Sequence, residues 1–372
     1  MSNLKKYNIY VFLNSFTRVL SNFFIPLILY DKGLSIQRII LFYDILYLLC
    51  MFWIIIYRKL SISVKTTTLM FISSISFTLT YYYLKFLTHN IYDLFLLAFL
   101  FSNYIVFNNI GRHIFALGIT KSKRTTENTS LYQIFNILGT IFSSFLSVKV
   151  IKNLDSDISL ILIFSLMMVS IIPLISLKTK ETRKDTNIVK TFPKKNYLFI
   201  SIDQLRNIAV NLFPLYVYIY IVRKYTYVTI VNVVCGFGSI IYIYFISKKM
   251  DKNKKNYLRM SLILLSIVYI FKINIFDSNL FLIVIFFECI FKSSLDVITL
   301  RNVYIYAKNY SVKNYMLFIE FLSNISKVLF LSVFYIMNIN LKVLIVITIV
   351  GMLINSMIRF DDGKYGYSKI RK

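Results

Sequence analysis

The sequence predicts an all-α integral membrane protein whose twelve transmembrane helices form two parallel repeats of six. Three observations carry this. Of its 372 residues 58% are hydrophobic, and the mean hydropathy of +0.68 excludes a soluble globule. The apolar runs are roughly 18–25 residues long, the length that a bilayer core requires. Finally, the stretch Arg18-Val19-Leu20-Ser21-Asn22-Phe23-Phe24-Ile25-Pro26-Leu27 has a second copy 188 positions on, where Arg206, Pro214, Leu215 and Tyr218 take the places of Arg18, Pro26, Leu27 and Tyr30. The same offset lays Asn324-Ile325 on Asn136-Ile137 and Asn232 on Asp44 without a gap, so a whole half is duplicated rather than one helix.

In chain order the apolar runs are 7–30, 37–57, 65–87, 91–117, 129–150, 158–177, 197–221, 226–247, 257–275, 279–303, 314–337 and 341–358. The first is too long for a signal peptide, carries Arg18 and lacks a small-residue cleavage site, so it is expected to stay as a helix. With the N-terminus in the cytoplasm, most of the 43 Lys and Arg fall in cytoplasmic loops: around Arg58-Lys59, Lys121 to Arg124, Lys178 to Lys195, Lys248 to Arg259, Lys308 to Lys313 and the Lys364 to Lys372 tail. The positive-inside rule then places both termini in the cytoplasm of a multi-pass protein in the cell membrane. The longest break, polar and basic, divides the chain into a bundle over 1–177, a linker over 178–196 and a second bundle with a short tail over 197–372.

Composition also excludes function classes. The net charge of +27 lies in short loops and not on a soluble face, which argues against nucleic acid. The aromatic fraction of 17% accompanies abundant Ile, Asn and Lys, the signature of an AT-rich coding sequence. Cys50, Cys235 and Cys289 offer neither metal-ligand spacing nor a disulfide framework, and His89 and His113 are read as interfacial side chains. No phosphate-binding loop, nucleophile elbow or metalloprotease motif is present, so no metal and no cofactor is expected.

Charges inside apolar helices are costly, roughly 2.5–3.5 kcal/mol each on insertion scales, and so mark function. Arg18 and Arg206 occupy matching places in the two halves. Asp203 and Arg206 are three apart, Glu288, Lys292 and Asp296 are four and four apart on one helical stripe, and Glu320 and Lys327 are on neighbouring turns. Asp44 is the acid of the first half. Pro26 and Pro214 would kink matching helices, and Gly236 with Gly238 permits close packing or bending.

Twelve helices in two parallel repeats, a basic central linker and termini on one side resemble the major facilitator superfamily in its bacterial, twelve-helix form. Gly33-Leu34-Ser35 looks like the family's short external turn, with Ser35 placed to cap the next helix. Met250-Asp251-Lys252-Asn253-Lys254-Lys255 resembles its acidic-then-basic loop signature without the glycine, while Arg58-Lys59-Leu60-Ser61 has lost the acid. The resemblance implies a central cavity lined by eight helices, with the third, sixth, ninth and twelfth peripheral. Accordingly, these four carry no charge at mid-depth, only Lys85 and Lys272 at their outer ends.

The resemblance implies a monomeric, proton-coupled secondary transporter, and the expectation is export of a small amphipathic compound across the lipid bilayer. Cavity candidates are Arg18, Asn22, Asn136, Arg206, Asn211 and Asn324. Coupling candidates are Glu288 first, with Lys292 as its movable counter-charge, then Asp203, Glu320, Asp44 and Asp296; Pro26, Pro214, Gly236, Gly238 and Asp251 are gating candidates. Alternatives are import of a nutrient, an integral-membrane enzyme acting on lipid-linked sugars, and a non-transporting sensor or immunity protein.

Overall fold

A computed structural model describes residues 3–21, 24–88, 90–119, 125–152, 157–177, 193–246, 254–309 and 312–358. Asn22, His89, Asp251, the C-terminal tail and nearly all of the central linker lie outside them. The helices are α1 (Asn3–Ser21), α2 (Ile25–Asp31), α3 (Ile36–Leu60), α4 (Thr66–Phe86), α5 (Ile91–Ile119), α6 (Thr125–Lys152), α7 (Asp157–Ile175), α8 (Lys194–Tyr220), α9 (Tyr225–Ile246), α10 (Lys254–Asn274), α11 (Ser278–Asn309), α12 (Val312–Ile336) and α13 (Leu341–Met357).

Local chemistry explains the ends. Gly33 takes φ 87°, the left-handed geometry a tight turn needs, and the Ser35 hydroxyl then accepts the Arg38 N–H at 3.3 Å to cap α3. Asn340 caps α13 in the same way, accepting from Val343 N–H at 2.9 Å.

The first predicted segment is two helices. Pro26 stands in the first turn of α2, where its missing N–H costs nothing, whereas Pro214 lies inside the continuous α8. The two prolines expected to act as a matched pair are therefore unequal.

Packing repeats between the halves. Among α1–α7, α1 packs on α6 and α7, α5 on α3 and α4, and α4 on α7; among α8–α13, α8 packs on α12 and α13, α11 on α9 and α10, and α10 on α13. The principal contacts between the two sets are α3 with α12 and α6 with α9. The peripheral positions go to α4, α7, α10 and α13, as the family resemblance implies.

Exposure is inverted relative to a soluble protein. On α7, Ile158, Ile161, Ile172 and Ile175 are 60–79% exposed, while Lys272, Arg206, Glu288 and Asp203 are at most 6% exposed. An apolar outside and charged inside is the arrangement a bilayer imposes. Seven described helices are long and apolar enough to cross a membrane on their own: α3, α5, α6, α7, α9, α10 and α12. The charges of α8 and α11 place them among the rest.

Contrary to the sequence reading, Cys235 and Cys289 form a disulfide across a Cα–Cα distance of 5.1 Å, tying α9 to α11. Their separation of 54 residues in sequence gave no sign of this, because pairing depends on which helices adjoin. Cys50 is buried and free.

Candidate functional site

Between the two halves lies a cavity of about 400 Å³. Its walls come from the end of α5 (Asn109, Arg112, His113), the start of α6 (Tyr132, Gln133), the first two-thirds of α8, the second half of α11 and the first two-thirds of α12. With alternating helix directions, all of these portions lie toward the side bearing the chain termini. Solvent reaches it, since the Asp296 side chain is 36% exposed.

On the far side the halves are joined in three layers. Nearest the cavity, Asn211 Nδ2 donates to the Tyr47 hydroxyl at 2.5 Å, and the Lys327 ammonium sits 4.4 Å from the centre of the same ring. One turn outward, Ser332 donates to Asp44 Oδ2 at 2.9 Å, and in the rim itself, at the outer end of α3, Gln37 Nε2 donates to the Ile339 carbonyl at 3.2 Å. At the rim, Asp31 accepts from Tyr225 at 2.6 Å and Tyr218 at 3.4 Å, with the Tyr30 and Tyr218 rings edge to face. On the near side the halves also touch, through His113 Nδ1 with the Tyr304 hydroxyl at 2.8 Å and Lys313 Nζ on the Ser61 carbonyl at 2.8 Å.

Arg206 is the best-held charge in the cavity. Its Nε and Nη2 reach the two Asp203 oxygens at 2.8 and 3.0 Å, and Nη1 reaches Asp296 Oδ1 at 3.0 Å. This bidentate fork plus a second carboxylate ties α8 to α11 and offsets the cost of burial. Its repeat partner is held differently. The Asn136 Oδ1 that accepts from Arg18 at 3.5 Å also takes the Ser15 hydroxyl at 2.5 Å, and Ser15 stands where Asp203 stands in the second half. The first-half arginine thus has an amide contact where the second has carboxylates.

Other candidates divide. Asp203, Arg206, Asn211, Asp296, Glu320 and Lys327 meet in the cavity, and Glu320 has no ion-pair or hydrogen-bond partner for its carboxylate among the described residues. Asn324 spends its amide on the carbonyl of Glu320 in its own helix, and Asp44 belongs to the far-side closure. Lys292 lines a separate chamber with Asn136. Glu288 is not paired with Lys292 as expected; Lys272 Nζ of α10 meets its carboxylate at 2.8 Å, in a nest where Lys272 also lies 3.5 Å from the Phe213 ring centre. Lys272, read as an outer-end charge, is therefore turned inward. The glycines serve close approach: a Cβ on Gly236 would collide with Ile141 of α6, and one on Gly238 would stand 2.7 Å from the Phe286 carbonyl of α11.

Sequence reasoning missed Arg112, which lies over the Tyr132 ring with its centre 5.8 Å away and its Nε unpartnered among the described residues. It also misplaced His113, which lines the cavity, and underestimated the amides, for Asn109, Gln133, Gln204 and Asn207 join Asn211 there. The place of Arg112 inside the apolar run 91–117, beside Gly111, was the available signal.

Among curated proteins no relative matches the chain in sequence. Among solved structures, a bacterial homologue of the iron transporter ferroportin in its outward-facing state superposes with TM-score 0.70 at 12% identity, covering 99% of this chain and 100% of that one. The Major Facilitator Superfamily transporter FucP in the outward conformation gives 0.67 at 12% identity, with 96% and 98% covered. The family model of the Major Facilitator Superfamily matches residues 8–299. With that match over most of its length and this packing of its helices, the chain belongs to the Major Facilitator Superfamily and is a multi-pass membrane transporter of small molecules, not an enzyme.

Proposed function

We propose that the protein is a proton-coupled exporter of a small amphipathic compound, working as a monomer in the cell membrane by alternating access between the halves 1–177 and 197–372. The termini and the 178–196 linker are cytoplasmic in this reading, which rests on the loop charge bias. The cavity then faces the cytoplasm and the three layers close the outer side. Amides from α5, α6 and α8 together with Ile200, Leu300, Val303, Met316 and Ile319 line the cavity, a mixed lining that suits an amphipathic cargo.

The observation that carries the coupling is Glu320. It borders the cavity with no salt bridge or hydrogen bond to its carboxylate among the described residues, Lys327 and Arg112 being the cations that share the space, while Asp203 and Asp296 are committed to Arg206. A carboxylate in that position can take a proton when the cavity is dry and release it when charge or water approaches. Glu288, bound to Lys272, is the second candidate.

Two measurements test the reading. Metabolite profiling inside and outside a deletion strain should show a small amphipathic compound accumulating inside; depletion inside would refute export. With that compound in proteoliposomes, Glu320→Gln should lose uptake driven by a pH gradient while keeping counterflow exchange, and unaltered gradient-driven transport would remove Glu320 from the mechanism.

A further inference from the structure

Beside the central cavity, at the seam where α6, α9 and α11 meet, is a smaller chamber of about 160 Å³. Gln133 and Asp296 line both spaces, so the two adjoin. Lys292 lines the chamber and has no ion pair or hydrogen bond among the described residues. The Asp296 carboxylate one turn along does not serve it, being held by Arg206 at 3.0 Å.

Two of the polar groups lining the chamber with Lys292 have donors to spare. Asn136 accepts with its Oδ1 from Ser15 and Arg18, and its Nδ2 hydrogens have no acceptor among the described residues. Ser293 makes no side-chain hydrogen bond there either, whereas Asn232 Nδ2 is spent on Ser144 at 2.7 Å and Ser239 donates to the Cys289 carbonyl at 3.4 Å. Counted over both spaces, Arg112, Arg206, Lys292 and Lys327 face Asp203, Asp296 and Glu320, an excess of one positive charge. An ammonium with spare amide and hydroxyl donors in a recess of this volume is a receptor for an oxyanion.

We infer that this chamber seats an anionic group of the cargo, a carboxylate or a phosphate-type oxyanion, against Lys292, Asn136 Nδ2 and the Ser293 hydroxyl. The apolar remainder of the cargo lies in the main cavity along Leu300, Val303, Met316 and Ile319. The inference rests on the reading of the protein as a transporter of an amphipathic compound and names the charge of that compound. It also fits export, because an anion leaving a cell that is negative inside moves down the membrane potential.

The test is equilibrium binding, which needs neither transport nor a gradient, so it can fail or succeed independently of the exporter reading. Purified full-length protein in nanodiscs is melted with millimolar 3-phenylpropanoate, 3-phenylpropan-1-ol, 3-phenylpropan-1-amine, phenylphosphonate or inorganic phosphate. The carboxylate or the phosphonate should raise the melting temperature while the alcohol and amine do not; protection by inorganic phosphate as well would place the recognised chemistry in the oxyanion alone. Lys292→Met should weaken the protecting anion about tenfold or more, and Lys292→Arg should retain it within about threefold. Equal protection by the alcohol or amine, no protection by any anion, or undiminished anion binding in Lys292→Met would overturn the inference. If Lys292→Met does not fold, the ranking on the wild-type protein and the loss expected in Ser293→Val decide it.

Discussion

Removing one partner of the Lys272–Glu288 pair should be far worse than removing both. Their side chains are 2% and 5% exposed and meet at 2.8 Å, with Phe213 and Tyr269 packed on the ammonium. Lys272→Met leaves an uncompensated carboxylate in a dry nest, and Glu288→Leu leaves an uncompensated ammonium; each should cost about 3–5 kcal/mol. Lys272→Met/Glu288→Leu removes both charges for apolar groups of similar volume, a change that is near neutral or even stabilising. At about 2.1 cal/mol/K per residue over 372 residues, a loss of 3–5 kcal/mol lowers the apparent melting temperature by roughly 4–6 °C. Thermal unfolding of the four proteins in one detergent closes the double-mutant cycle, and transport by the double variant supplies the functional half. Two single-mutant losses that simply add in the double variant would refute the picture of a mutually compensating pair. Loss of gradient-driven transport in a double variant that is folded and stable would return Glu288 to the coupling site.

The remaining expectations are shorter. Arg206→Ala strands Asp203 and Asp296 beside each other and should abolish transport and destabilise by about 3–5 kcal/mol, whereas Arg18→Ala, which removes an amide contact, should abolish transport with the protein at normal membrane levels; normal transport in either removes that arginine from the cavity mechanism. Reporter fusions at Lys184 and Lys372 should behave as cytoplasmic, and an external signal at either would overturn the topology. Gly236→Val should force α9 away from Ile141 of α6, costing about 1–3 kcal/mol and slowing transport; full activity would mean that this seam is not under tight packing.

The contrast between Arg18 and Arg206 bears on how a duplicated protein divides its labour. Both sit in matching helices, yet the second half holds its arginine with Asp203 and Asp296, and the first half has Ser15 and Asn108 at the corresponding positions. Most of the cavity's titratable charge therefore belongs to the second half, and the first supplies amides, hydroxyls and Arg112.

The fold class was legible in the sequence because hydropathy and repeat spacing are properties of the chain in one dimension. Apolar runs long enough for a bilayer and an offset of 188 residues that needs no gap determined the fold class; the resemblance to the family implied which helices are peripheral, and the charges absent from the middle of those four agree with it. So was the Asp203–Arg206 pair, since a spacing of three closes within one helix turn. What only the tertiary structure decided was every partner on another helix. Glu288, Lys292 and Asp296 lie on one stripe by spacing, but at 3.6 residues per turn eight residues rotate the direction by about 80°. That rotation is enough to send Glu288 to Lys272 on α10, Lys292 into the chamber against α6 and α9, and Asp296 to Arg206 on α8. The Cys235–Cys289 bond and the joining of Tyr47 to Asn211 and Lys327 were hidden for the same reason: sequence spacing fixes neighbours along a helix, while rotation and packing choose those across it.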